Sequence, residues 1–128
     1  MFKAVRWFAT VWLLAALSVT ACKDRAPSPA DIADRGWRAH EIVIAAGEHA
    51  KSCAEAGVVM QKAFVENRQA FVDAVAIDRD KDRLAEAAEL IAAHPDRYDG
   101  LEVRMEVLSS RCADDATVQA AFRQMESP

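Results

Sequence analysis

The chain has 128 residues, of which 52% are hydrophobic and 28% charged, with a net charge of −4 and three cysteines. That length suits one domain and is short for two. After residue 22 the basic residues are interspersed with carboxylates and no basic stripe carries aromatics, so the chain has no electrostatic footprint for nucleic acid.

The amino terminus opens with Lys3 and Arg6, and no charge follows until Lys23. The 16 uncharged residues from Trp7 to Cys22 fall short of the roughly 20 a membrane-spanning helix needs, so the segment reads as an export signal. Ordinary signal peptidase would accept Val19-Thr20-Ala21 as a small-residue site and leave Cys22 as an amino-terminal thiol. Val19-Thr20-Ala21-Cys22 also resembles a bacterial lipobox. That resemblance implies a cysteine linked to diacylglycerol and then freed by cleavage on its amino side, giving a palmitate-bearing lipoprotein held in the bilayer through Cys22. A free exposed thiol is a liability in an oxidising compartment, which favours the lipidated form. In the same family an aspartate after the cysteine directs inner-membrane retention in enteric bacteria. Here that position is Lys23, so the resemblance implies the outer membrane, facing the periplasm.

The expected division is a signal peptide over 1–21, a lipidated tether over 22–28 and a helical domain over 29–128. Cutting after Ala21 removes Lys3 and Arg6 and leaves 107 residues with a charge of −6. With Cys22 assigned to lipid, Cys53 and Cys112 remain as an even pair. In an exported chain the simplest reading is a disulfide, which closes a loop of about 59 residues and stabilises by about 4 kcal/mol in the chain-entropy model. A redox or metal pair lacks Cys-x-x-Cys and a nearby ligand cluster. Two buried free thiols are the plainer alternative.

The tether is charged and ends between Pro27 and Pro29. Its seven residues span at most about 25 Å. Ser28-Pro29 is a helix start, in which the hydroxyl caps free amides and proline at the first position sacrifices no hydrogen bond. Asp31 and Asp34 favour the positive end of that helix and stand four residues before Arg35 and Arg38, the spacing of surface ion pairs. From there to Ala76 inward positions recur in threes and fours at Trp37, His40, Ile44, Gly47, Ala50, Cys53, Gly57, Met60, Phe64, Phe71 and Val75. One helix of about 48 residues would be about 72 Å long, so two helices meeting near Ala54 to Gly57 are expected, with a single bent helix as the alternative. The small residues Gly47, Ala50, Cys53 and Gly57 would let another backbone come close.

Residues 78–83 carry aspartates at 78, 80 and 82 but lack the glycine at the sixth position of a calcium loop, so they read as the start of a helix capped by Asp78 or Asp80. That helix is expected to bury Leu84, Ala87, Ala88 and Ile91 and to end at His94, before Pro95. Tyr98, Leu101, Met105, Leu108 and Cys112 continue a helical stripe, which places Cys112 inward. Asp114 or Asp115 caps a last helix with Val118, Ala121, Phe122 and Met125 inward and residues 126–128 frayed. The fold class is all-α, a small bundle of four or five helices stapled by one disulfide.

No catalytic residues, metal site or cofactor are expected. Ser52, Ser109 and Ser110 have no nucleophile-elbow glycines. His49 and Cys53 share the spacing of a two-ligand metal site, yet Cys53 is taken by the bridge. His40 reads as a partly buried core residue and His94 as a helix end. Met60, Met105 and Met125 lack a Cys-x-x-Cys-His and read as core filler.

The expected function is a non-catalytic, membrane-anchored protein-binding module for an envelope or secreted protein. In architecture it is similar to the pilotins of type II secretion, and the same class includes periplasmic immunity proteins. A structural or stress-related envelope lipoprotein without a single partner is the alternative. Ile42, Val43, Val58, Val59, Val72 and Val103 lie off the main stripes. Their exposure favours a partner surface; their burial favours the structural reading.

Overall fold

The computed structural model describes residues 26–128, so the expected signal peptide over 1–21 and the expected lipidation site Cys22 lie outside the described residues. Five helices follow one another, α1 (Pro29–His49), α2 (Cys53–Asp78), α3 (Lys81–Ala93), α4 (Pro95–Arg111) and α5 (Ala116–Glu126). No strand occurs among the described residues.

The helix starts follow from their caps. Ser28 accepts from the Asp31 amide at 3.1 Å and Asp31 accepts from the Ser28 amide at 3.1 Å, a reciprocal capping box with Pro29 in the first turn. Asp31 is therefore committed to the cap and not to the expected pair with Arg35, whereas Asp34 does pair with Arg38 at 2.8 Å. Asp80 caps α3 through the Asp82 and Arg83 amides, and Asp115 caps α5 through the Thr117 and Val118 amides.

The long apolar run splits into two helices, but the break falls at Ala50–Ser52 and not at Ala54–Gly57. Ser52 accepts from the Glu55 amide at 3.1 Å, and the Glu55 carboxylate accepts from the Lys51 amide at 2.9 Å. These bonds satisfy amides that a new helix leaves free, so the chain restarts there. Gly57 instead lies one turn inside α2, where a Cβ would stand 2.6 Å from the Thr117 Cβ. Its missing side chain admits α5. Gly36 plays the same part between α1 and α2, where a Cβ would stand 2.7 Å from the Ala74 Cβ.

α1 and α2 form an antiparallel hairpin: Gly36, in an early turn of α1, meets Ala74 in a late turn of α2, and Gly47 near the end of α1 meets Met60. Val43, Ile44, Met60, Phe71, Leu108, Val118 and Cys112 fill the main core. Val43, left off the inward stripe by periodicity, is fully buried because α1 is covered on a broad face by α2. A smaller cluster of Ile32, Ile77 and Ala87 joins the first turn of α1, the end of α2 and the middle of α3. Of the four residues expected to be buried on α3, only Ala87 is; Leu84, Ala88 and Ile91 are exposed. A helix of 13 residues reaches the bundle along one narrow line, and the neighbouring line is left outside.

The Cys53–Cys112 disulfide joins the first residue of α2 to the residue that ends α4, with Cα atoms 5.5 Å apart. Two glycines separate packing from propensity. Gly57→Leu is expected to lose about 1–3 kcal/mol by driving α5 from α2. Gly100→Ala, whose Cβ would meet nothing within 4 Å, is expected to gain about 0.5–1 kcal/mol from helix propensity. Urea unfolding of the two variants reads both; equal effects would contradict the close approach at Gly57.

Candidate functional site

The described residues bury no charged residue, and no group of three His, Cys, Asp or Glu side chains among them could hold a metal ion. The sites singled out in the sequence fall into structural places. His49 is exposed at the end of α1 with Nδ1 2.6 Å from the Ala45 carbonyl, and Cys53 is in the disulfide, so the pair holds no metal. His40 donates from Nδ1 to the Gly36 carbonyl at 2.8 Å and leans on Phe71. Burial pushes its pKa below the ordinary range and keeps the ring neutral at pH 7. Ser52 is a cap, Ser110 borders a depression of about 290 Å³ beside the disulfide, and His94 ends α3.

The most ordered polar feature is a ladder between α1 and α4. Asp34, Glu41 and Glu48 stand seven apart on α1, and Arg97, Arg104 and Arg111 stand seven apart on α4. Arg97 donates to Asp34 at 2.8 Å and to Glu41 at 3.3 Å, and Arg104 donates to Glu48 at 2.6 and 2.9 Å. Arg111 reaches the Gly47 carbonyl at 3.5 Å. The partners rise together in number, so the two helices run in the same direction. Seven-residue spacing keeps each column on one helix face, as at the flanks of a coiled coil.

The ladder also fixes the protonation of its carboxylates. The Arg97 hydrogen bond outweighs burial at Asp34, and Arg104 does the same at Glu48, so both carboxyls are held below their usual range. Burial opposes ionisation of Glu41, but Arg97 and the nearby Trp37 indole prevail and lower it too. The Trp37 N–H itself has no partner in hydrogen-bonding geometry, while its ring packs on Tyr98 and under the Arg97 guanidinium at 5.2 Å. Paired and ionised, the three ladder carboxylates fasten one helix to the other. Beside the ladder Arg38, Glu41, Ile42, Ala45 and Arg104 line an open groove of about 490 Å³.

The apolar surface lies elsewhere. Of the off-stripe residues, Val43 is buried and Val59 half-buried, while Ile42 (48%), Val58 (64%), Val72 (36%) and Val103 (59%) are exposed. Val65 is exposed at 69% and completes a column of Val58, Val65 and Val72 at seven-residue steps on the outward face of α2. Exposed Ala54 and Ala76 extend that column at both ends. Val65 shares that spacing, but its place next to Phe64 on the inward stripe hides it in the sequence pattern.

Lowered carboxylate pKa values give stability that is complete above the unfolded values, near 3.8 for aspartate and 4.5 for glutamate, and is lost as pH falls through the folded ones. The lowered His40 pKa acts earlier: stability declines once pH falls below 6.5, where the unfolded ring charges and the buried one does not. Thermal unfolding from pH 8 to pH 3 should show both declines, with His40→Leu removing the first only. Arg104→Met should cost about 0.5–1 kcal/mol at low salt and less at 1 M salt. No protein-family model matches the chain, and neither a curated protein nor a solved structure does.

Proposed function

We propose that this chain is an envelope lipoprotein, anchored through an acylated Cys22, whose helical domain is a non-catalytic binding module of the pilotin or immunity kind. The observation that carries the binding reading is the valine column on α2. Val58, Val65 and Val72 face away from the core, and their seven-residue spacing drifts by only about 20° per step, so they lie along one line of the helix, with Lys62 and Gln69 between them. A helix apolar on two faces is one that expects cover on both. The bundle covers one face of α2; the apolar face of a partner helix is the fitting cover for the other.

The address rests on two supports. The Cys53–Cys112 bridge suits an oxidising compartment, and the remaining cysteine stands where the lipobox resemblance puts the acyl chains. Lys23 after that cysteine favours the outer membrane, facing the periplasm. No helix among the described residues is long and apolar enough to cross a membrane, so anchoring falls to the amino-terminal segment.

The test is crosslinking in intact membranes followed by mass spectrometry, with wild type beside the variant V58T/V65T/V72T. All three substitutions are on the surface and should leave stability within about 0.5 kcal/mol. One discrete adduct is expected in wild type and its loss in the variant. No reproducible adduct in wild type, or the same adduct in both, overturns the binding reading and favours a structural lipoprotein. Alongside, Cys22→Ser should move the chain to the soluble fraction and abolish palmitate labelling. Unchanged membrane retention without lipid label overturns the anchor.

A further inference from the structure

We infer that the outward face of α3 is a bilayer-contact face, lying on the lipid surface beside the point where the tether leaves the domain. The inference rests on the anchor reading and adds an orientation to it. Three observations place α3. Two residues separate it from the end of α2 and one from the start of α4. The end of α2 lies at the amino-terminal end of α1, as Ile77 packs with Ile32, and the start of α4 lies there too, as Arg97 bonds Asp34. A helix whose two ends both meet that end of the bundle runs across it, and Ala87 at its middle packs on Ile32 in the first turn of α1.

The chain enters the domain at the same end. Ser28 caps α1 one turn before Ile32, and the seven residues from Cys22 to Ser28 reach at most about 25 Å. A lipid on Cys22 thus holds the α3 end, and not the α4–α5 junction, against the membrane. The surface presented there is largely apolar, with exposed Lys81 at its amino-terminal edge. Leu84 (38%) and Ile91 (41%) are exposed, and Ala85, Ala88 and Ala92 are exposed on the same side of the helix. Asp82, Glu86 and Glu89 form a separate exposed row on the adjoining flank. This is the division of an interfacial helix that lies in the membrane plane with its apolar side in the acyl boundary. Its polar row is acidic where many such helices are basic, so the contact draws on apolar burial and on the short tether, which keeps α3 at high local concentration near the lipid. The same orientation leaves the α2 column standing away from the membrane, free for a protein partner.

The test uses the full chain, purified from bacterial membranes and reconstituted into phosphatidylethanolamine–phosphatidylglycerol vesicles, with mass spectrometry confirming the state of Cys22. An environment-sensitive fluorophore is placed at Ala88→Cys on α3 or, in a separate preparation, at Val65→Cys on α2. With Cys22 acylated, position 88 should shift to shorter wavelength and be quenched by lipids brominated about 5–10 Å below the headgroups, while position 65 is not. Acylated Cys22 with position 88 behaving like position 65 overturns the bilayer face and leaves the anchor standing. Shielding of position 88 that is already complete in detergent and insensitive to brominated lipid identifies a protein contact, a second copy or a partner, and overturns it as well. An unmodified Cys22 removes the anchor and this inference together.

Discussion

The Cys53–Cys112 disulfide is the constraint on which the carboxyl-terminal half depends. α1 and α2 share the broadest packing in the bundle, whereas α4 contributes only Leu101 and Leu108 to the interior before Cys112. Its other holds on α1 are the Trp37–Tyr98 ring contact and the Arg97 and Arg104 ladder, whose groups are about a third exposed and so weakly stabilising. A bridge closing a separation of 59 residues is worth about 4 kcal/mol in the chain-entropy model, against a total of about 5–15 kcal/mol for a domain. It also sets where α5 begins: Asp115 caps α5 three residues after Cys112, and Thr117 then meets Gly57 on the turn after Cys53.

The two kinds of surface follow from this construction. The long sides of the hairpin are covered on one face by α4 and α5, and the uncovered side of α2 carries the valine column. The end of the hairpin is covered by α3, a helix too short to hide its own apolar neighbour line. The domain therefore has an apolar flank and an apolar end, pointing in different directions. Under the proposed anchoring, a tether leaving from that end would turn one face toward lipid and leave the other for a protein. The ladder between α1 and α4 links them mechanically, since it fixes the helix that follows α3 in register with the helix that follows the tether.

Much of this was legible in the residues, and the exceptions have definite causes. Ser28, Asp80 and Asp115 announced their helices because a capping side chain acts on amides two or three residues away, a purely local matter. The bridge was legible from cysteine parity once Cys22 was set aside. The break expected near Ala54 to Gly57 falls earlier because Ser52 and Glu55 form a start signal, an S-x-x-E spacing that outranks the stripe of small residues. Gly57 was a packing residue, and the Thr117 that requires it lies 60 positions away. Val43 and the α3 pair Leu84 and Ile91 were misplaced in opposite senses for one reason: periodicity defines an apolar line on a helix but not how much of that line a neighbour will cover. The acidic and basic columns at 34, 41, 48 and 97, 104, 111 were visible as spacings, yet nothing local says which two helices lie side by side. Val58 and Val72 were legible as off the inward stripe and Val65 was not, and the meaning of the column depended on the one thing a sequence pattern does not hold, the position of the remaining helices.

The central claim is that the α1–α2 hairpin is self-sufficient and that the bridge fastens α4 and α5 to it. Hydrogen exchange, compared between the oxidised protein and the same protein with Cys53 and Cys112 reduced, tests it element by element. Reduction should strip protection from the amides of α4 and α5 while those of α1 around Val43 and of α2 around Met60 to Phe71 keep most of theirs. Equal loss across all five helices, or protection in α4 that survives reduction, would contradict the account.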